Sequence, residues 1–143
     1  MRHNKRSCKL GRNTSHRRAL FANMLKSLVV HGRLVTTVAK AKELRRLADR
    51  LVTVAKKDNI EARRTVRAKL MLRYNKLTPK EIRAVKDGDL SSYNDDRKVL
   101  DILFDDLQKR FVDRHGGYTR ILRTGVLRHG DSAEKCIIEY MPA

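Results

Sequence analysis

The chain has 143 residues, of which 34 are Lys or Arg and 16 are Asp or Glu, giving a formal net charge of +18. No apolar run exceeds four residues, which excludes a membrane-spanning helix, and two distant cysteines argue against a disulfide scaffold and for reduced cytosolic thiols. A chain this basic is expected to act on a polyanion, of which nucleic acid is the usual one.

The positive charge is concentrated at the amino-terminal end. Residues 1–42 contain eleven Lys or Arg and no acid, whereas residues 87–106 contain seven Asp. Residues 1–13 have few large apolar side chains, so we expect a basic RNA-binding arm that is solvated without its partner. Deleting residues 2–13 is then expected to leave a folded domain. An organelle transit peptide is the alternative, although this segment lacks an amphipathic apolar face.

The first predicted elements are a helix and a short strand. Thr14 or Ser15 can cap the helix, and Gly32 is expected to end it, because glycine adopts the left-handed conformation at little cost. Residues 33–37 contain Leu, Val and two Thr, which favours a strand. The predicted core face of the helix consists of apolar residues at helical spacing, namely Leu20, Met24 and Leu28, flanked by Phe21 and Leu25.

A second helix is predicted over about residues 38–57, with an apolar face opposite a basic one. Lys42, Arg46 and Arg50 recur every four residues, which favours RNA contact, and a solvated face is the alternative. Asp49 can pair with Arg45 and reduce the charge locally. The predicted core face comprises Val38, Ala41, Leu44, Leu47 or Ala48, Leu51 and Ala55.

The remaining elements are predicted from capping residues and alternation. Residues 58–61 resemble a capping box that opens a third helix, and residues 78–81 predict a short helix ending near Lys86. This short helix lies in a predicted insertion at about 74–96, in which Gly88–Asn94 is rich in turn residues. A last helix over about 96–114 is expected to end at Gly116-Gly117. Two strands follow, at 118–123 and 135–140, joined by a loop at 124–133.

These elements predict the fold class. The order α-β-α-α-(α)-α-β-β indicates a two-layer α+β fold, with a small sheet of about three strands packed against helices. A single domain is expected over residues 14–143. In the last strand, alternation places Cys136, Ile138 and Tyr140 on the core face, so Cys136 is predicted to be a small core residue.

No motif for catalysis, metal binding or a cofactor stands out. His3, Cys8 and His16 match no zinc pattern, and no cofactor is predicted. His31 and His115 are each followed by glycine and can simply complement helix C-termini. A nuclease that uses either of them is a separate hypothesis. The few aromatic residues argue against a base-stacking platform, which leaves recognition of folded RNA mainly through its phosphates.

Three blocks of residues indicate a protein family, and they occur in order along nearly the whole chain. They are Met1–His3 with Leu10–Arg12 and Ser15–Arg17, then Thr36-Thr37 with Lys40–Arg46, and then Gly116–Ile121 with Arg128, Gly130-Asp131 and Ile138-Glu139. Together they resemble the bacterial-type large-subunit ribosomal protein L17 family. Residues 70–97 look longer than the common form of that family.

The resemblance implies a non-enzymatic structural constituent of the large ribosomal subunit, in the cytoplasm. Such a protein would bind large-subunit rRNA near the outer end of the peptide exit tunnel, beside neighbouring ribosomal proteins, with residues 87–106 facing away from RNA. A free-standing basic nucleoid or mRNA-binding protein is the alternative. Neither hypothesis involves a membrane or a small-molecule substrate.

Charge and resemblance together give the predicted RNA-binding residues. Tyr118 is included with core packing as its alternative. The full set is Arg2, His3, Lys5, Arg6, Lys9, Arg12, Asn13, Ser15, His16, Arg17, Arg18, Arg33, Thr36, Thr37, Lys40, Lys42, Arg45, Arg46, Tyr118, Arg120, Arg123 and Arg128.

Overall fold

The computed structural model describes residues 8–73, 77–88 and 95–142. Within them, helices flank a three-stranded sheet in the predicted order, so the α+β fold class is confirmed. The elements are α1 (Thr14–His31), β1 (Arg33–Thr37), α2 (Val38–Ala55), α3 (Ile60–Leu70), α4 (Pro79–Lys86), α5 (Asp95–Asp101, continuing through the π-helical segment Ile102–Leu107 to Gln108–Arg110), β2 (Thr119–Leu127) and β3 (Glu134–Tyr140).

Helix α1 begins where predicted but is capped by a different residue. The Asn13 side-chain oxygen accepts a hydrogen bond from the His16 backbone N–H at 2.8 Å, so neither Thr14 nor Ser15 is the cap. Asparagine is as good an N-cap as serine, and either choice places the helix start within one residue. The stop at Gly32 is confirmed by its φ of +71°.

The buried face of α1 is rotated slightly from the predicted one. Leu28 is buried as expected, but Leu20 and Met24 are only half-buried. The flanking residues Phe21 and Leu25 lie in the core instead, because the helix packs against both α2 and α3. The full buried set of α1 is Phe21, Ala22, Leu25, Leu28 and Val29.

Helices α2 and α3 pack against each other and against α1. Ala48 is buried whereas Leu47 is 40% exposed, which decides between the two predicted core positions. Helix α2 ends at Ala55, two residues earlier than expected. The cap of α3 is Asn59, whose side-chain oxygen accepts from the Ala62 N–H at 2.7 Å. The expectation that Asp58 opens a capping box is therefore wrong, because Asp58 has a φ of +42° and lies outside the helix.

Helix α4 confirms the capping box that its sequence predicts. The Thr78 N–H donates to the Glu81 carboxylate at 2.7 Å, and the Thr78 hydroxyl accepts from the Glu81 N–H at 3.4 Å. Pro79 occupies the first helical position. No residue of α4 is buried. The predicted turn beyond Gly88 lies outside the described residues.

Helix α5 ends at Arg110, well before Gly116-Gly117, so the predicted end is wrong. The chain leaves the helix earlier because Phe111 turns into the core, where its ring centroid lies 5.1 Å from that of Tyr118. Lys56 from the end of α2 holds the following turn. Its ammonium donates to the carbonyls of Val112 and Arg114, each at 2.9 Å. A cation thus satisfies carbonyl groups that the helix no longer pairs.

The sheet is antiparallel, with β3 between β1 and β2. Strand β2 runs to Leu127 with an irregularity after Arg123, so the connecting loop is shorter than predicted. The core-facing alternation of Cys136, Ile138 and Tyr140 is confirmed. Both cysteines are free thiols, and burial raises the pKa of Cys136. One hydrophobic cluster combines residues from α1, α2, α3, α5, β3 and Tyr118.

A single carboxylate ties three parts of the helical layer together. Asp96 on α5 accepts from the Lys26 ammonium of α1 at 2.9 Å and from the backbone N–H of Arg73, beyond α3, at 2.8 Å. Burial opposes ionisation of Asp96, but the hydrogen bonds from Lys26 and Arg73 outweigh it and lower its pKa from the ordinary value of 3.8. The ionised form therefore stabilises the fold.

The Asp96→Asn variant is expected to lower the free energy of unfolding by about 1–2 kcal/mol at pH 7. Because the folded-state pKa is depressed, this contribution is present above pH 3.8 and disappears as the pH falls below it. Urea unfolding of both proteins at pH 7 and in acid measures the difference. Asp106→Asn, an exposed position on the same helix, is the control and should change little. A deficit of equal size at pH 7 and in strong acid would contradict this account.

Candidate nucleic-acid interface

The described part of the basic arm enters α1 through a tight turn. Leu10 and Gly11 have φ values of +54° and +63°, and the Arg12 N–H donates to the Lys9 carbonyl at 3.2 Å. Leu10 also packs against the hydrophobic core. Residues 8–13 are thus attached to the folded part of the chain. The predicted site residues Arg2, His3, Lys5 and Arg6 lie outside the described residues.

The start of α1 carries several cations and no acid in its first turn. The Arg12 guanidinium donates to the ring nitrogen Nε2 of His16, and Arg17 donates to the Arg12 carbonyl at 3.1 Å. The side-chain oxygen of Asn13 is occupied by the cap, so this residue positions the helix start. Because the N-terminus of a helix carries partial positive charge, this arrangement attracts anions.

A second cationic region surrounds the start of α2. Thr37 precedes the helix with extended backbone but makes no side-chain cap, and the first turn contains no acid. Lys135 lies opposite Thr37 in the sheet register. A surface cavity of about 260 Å³ forms at this junction, lined by Val35, Thr36, Thr37, Lys40, Arg128 and Lys135. We call this region the β1–α2 junction.

Several of the predicted RNA-binding arginines are occupied by neighbouring acids. The ion pairs are Arg45–Asp49 at 4.0 Å, Arg46–Glu43 at 3.3 Å, Arg120–Glu139 at 2.5 Å, Arg123–Glu134 at 3.5 Å and Arg128–Asp131. The first of these pairs was predicted from the sequence. Three of the five arginines belong to β2 or to the turn that follows it. An anion that approaches them must compete with a carboxylate already in place.

Arg128 is the clearest case of an arginine whose charge is occupied by a neighbouring acid. Its guanidinium donates through two nitrogens to the two carboxylate oxygens of Asp131. This pairing lowers the pKa of Asp131 to about 2 and raises that of Arg128. The hairpin turn is therefore close to locally neutral, although it contributes a predicted site residue.

Other predicted cations have no such partner. Among the described residues, no carboxylate forms an ion pair with them, and their charge remains available to an external anion. They are Lys9, Arg12, Arg17, Arg18, Arg33, Lys40 and Lys42. They come from the arm, the start of α1, β1 and the start of α2. Tyr118 is 1% exposed, so its side chain packs in the core.

The structure also brings Arg50, which lies on the predicted basic face of α2, close to a cation for which no RNA contact was predicted, Lys69. Arg50 of α2 and Lys69 of α3 border a groove between α1, α2 and α3, and Lys135 completes the β1–α2 junction. Burial and then repulsion by Arg50 lower the pKa of Lys69. The sequence places Arg50 on a basic helix face, but only the packing of the three helices shows that it meets Lys69.

Neither metal chemistry nor a membrane-spanning helix has support in the described ranges. They contain no group of three or more His, Cys, Asp or Glu that could hold a metal ion. No helix in the same ranges is long and apolar enough to cross a membrane. His31 is the exposed last residue of α1, and His115 is exposed in the turn before β2.

Comparison with known proteins identifies the family of this chain. A family profile described as "Ribosomal protein L17" matches residues 20–141, which include the β1–α2 junction and the part of the groove that follows Arg18. The chain belongs to the ribosomal protein L17 family. The L17 resemblance seen in the three sequence blocks is therefore confirmed.

The full-length relatives are similar in size to this L17 family member. The protein named "Large ribosomal subunit protein bL17" from Protochlamydia amoebophila (strain UWE25) is 59% identical over 141 residues, which cover 99% of each chain. The protein of the same name from Chlamydia abortus (strain DSM 27085 / S26/3) is 56% identical over the same coverage.

Proposed function

We propose that this protein is a structural constituent of the large ribosomal subunit that binds and stabilises folded large-subunit rRNA in the cytoplasm. Family membership and the identical name of its relatives support this assignment. The observation that carries the RNA-binding part is that, within residues 8–73, 77–88 and 95–142, Lys9, Arg12, Arg17, Arg18, Lys40 and Lys135 form no ion pair with a carboxylate. The position near the peptide exit tunnel, beside neighbouring ribosomal proteins, rests on the family resemblance. No catalytic step is part of this function.

The proposed contacts are made mainly to phosphates. At the β1–α2 junction, Lys40 and Lys135 supply charge, the hydroxyls of Thr36 and Thr37 can donate to phosphate oxygens, and the start of α2 adds its partial positive charge. Contact with about ten phosphates would give a salt slope of roughly −7 to −9 on a logarithmic scale. Such contacts fix the position of the protein on a folded RNA.

Charge disfavours an orientation in which α5 faces the RNA. Asp105 and Asp106 are exposed on α5, within the acidic segment 87–106. Carboxylates repel the RNA backbone, so we propose that α5 faces solvent or a basic protein neighbour.

Footprinting on purified large-subunit rRNA tests the proposal. Adding the protein at about 0.15 M salt should protect a discrete set of nucleotides from hydroxyl radicals, and an excess of duplex DNA should leave these protections in place. Protection that duplex DNA abolishes at an equal nucleotide concentration would favour a general nucleic-acid-binding protein. Cosedimentation with the large subunit without any protected nucleotide would overturn the proposal.

A further inference from the structure

The groove between α1, α2 and α3 combines an apolar floor with a cationic rim. It has a volume of about 310 Å³, within the lower range of sites that hold small organic groups. Its floor consists of Phe21, Ala22 and Leu25 from α1 and Leu47 and Leu51 from α2. Leu47, a large apolar side chain that lines the groove, is 40% exposed. The other four floor residues are almost fully buried, so the apolar surface that the described part of the chain leaves uncovered here belongs mainly to Leu47.

The charged residues that line the groove are all basic in the part of the chain that the structure describes. They are Arg17 and Arg18 of α1, Arg50 of α2 and Lys69 of α3. Arg18, Arg50 and Lys69 form no ion pair among the described residues, and Arg17 donates only to a backbone carbonyl. Burial, and then repulsion by Arg50, lower the pKa of Lys69. A bound anion would relieve this repulsion.

We propose that this groove binds one unstacked nucleotide of RNA, with its base on the apolar floor and its phosphates on the cationic rim. The proposal rests on the proposed function and specifies the RNA element that this part of the surface recognises. A nucleotide in a bulge or loop presents a planar apolar face beside two phosphates, which matches the two properties of the groove. Arginine suits the rim because its planar guanidinium binds phosphate through two N–H groups and stacks on bases.

An RNA duplex and an uncharged peptide would each use only part of the groove. An intact RNA duplex keeps its bases stacked, so it would meet the rim with phosphates and leave the floor uncovered. An uncharged apolar peptide would cover the floor and bury the four rim cations without partners, at a high cost in desolvation. A peptide that is both acidic and apolar satisfies both parts, and it is the occupant that the experiment must distinguish. The continuity of the rim with the basic start of α1 favours RNA.

Three synthetic RNA hairpins test the proposal with the full-length protein. The first carries a single bulged adenosine, the second has a fully paired stem, and the third carries an abasic site at the bulge. At about 0.15 M salt, fluorescence anisotropy should show about 10-fold tighter binding of the first hairpin than of the other two, since burial of the apolar face of one base contributes on that order. Contacts outside the groove should bind all three.

Substitutions link this preference to the groove. Leu47→Glu places a carboxylate beside the rim and should remove the preference for the bulged hairpin. Ile82→Glu on α4 is the matched control, because Ile82 is 43% exposed and undergoes a similar change in charge and polarity. Arg50→Gln tests the rim without altering the floor and should weaken binding of the bulged hairpin. Circular dichroism confirms that each variant is folded.

The failures of the two proposals are distinguishable. Salt-dependent binding of all three hairpins with equal affinity would overturn the groove proposal and leave the proposed function intact, whereas no binding to hairpins or rRNA would overturn both. An equal loss of preference in Leu47→Glu and Ile82→Glu would also overturn the groove assignment. Binding of a Glu- and Leu-rich peptide in preference to the bulged hairpin, abolished by Leu47→Glu, would assign the groove to a protein partner instead.

Discussion

Replacing Lys40 and Lys135 together with alanine is expected to weaken binding to large-subunit rRNA about 25-fold at about 0.15 M salt. Each lysine that neutralises a phosphate releases a counterion, and at this salt concentration one such contact contributes about 5-fold to affinity. Both side chains line the β1–α2 junction, and neither is paired with a carboxylate among the described residues. The slope of log affinity against log salt should become less negative by roughly 1.4–1.8.

A charge-matched variant separates contact from net charge. Lys80→Ala with Lys86→Ala removes the same two charges from α4, which is exposed and has no predicted role in binding. Filter binding over a range of salt concentrations should show only a small effect for this control. Equal losses in both double variants would mean that the protein is attracted by its total charge, and the β1–α2 junction would lose its assigned role.

Arg128 differs from Lys40 in the availability of its charge. Arg128 lines the same cavity, but Asp131 occupies its guanidinium. Charge alone ranks Arg128 equal to Lys40, and the sequence predicts both as site residues. The structure separates them, because the partner of Arg128 lies only three residues away in a turn whose geometry the sequence does not specify.

The sequence predicts the elements well where local chemistry decides them. Gly32 ends α1 because of its own backbone freedom, and the Thr78–Glu81 capping box forms from residues within one turn. The end of α5 was predicted wrongly because it depends on distant residues. Phe111 packs on Tyr118, and Lys56 holds the following carbonyls, so tertiary contacts end the helix before Gly116 does.

In the candidate site, too, the sequence predicts what depends on local residues and misses what depends on tertiary packing. The acid-free amino-terminal region and the basic face of α2 are visible in the sequence, and they indicate a polyanionic partner. The groove is not visible there, because Arg50 and Lys69 meet only when α2 packs on α3. The exposure of Leu47 also depends on this packing, since helical periodicity allows either Leu47 or Ala48 in the core.

Removing residues 2–8 is expected to weaken binding to rRNA about 100-fold at about 0.15 M salt and to make the salt slope less negative by roughly 2–3. The deletion removes Arg2, Lys5 and Arg6 but keeps the turn at Lys9–Arg12, the packing of Leu10 and the Asn13 cap. Thermal unfolding should therefore be unchanged. The affinity loss would then report lost phosphate contacts, because the folded part of the protein is intact.

The longer deletion of residues 2–13 separates the two roles of this region. It also removes Lys9 and Arg12, so RNA affinity should fall further. It removes the Asn13 cap, which contributes about 1 kcal/mol to stability, and the packing of Leu10 on the core. We expect a folded but less stable protein, with the loss of stability confined to this variant. If the shorter deletion also lowered stability, residues 2–8 would belong to the fold. If it left RNA affinity unchanged, the basic arm would not bind RNA, and binding would depend on the starts of α1 and α2 alone.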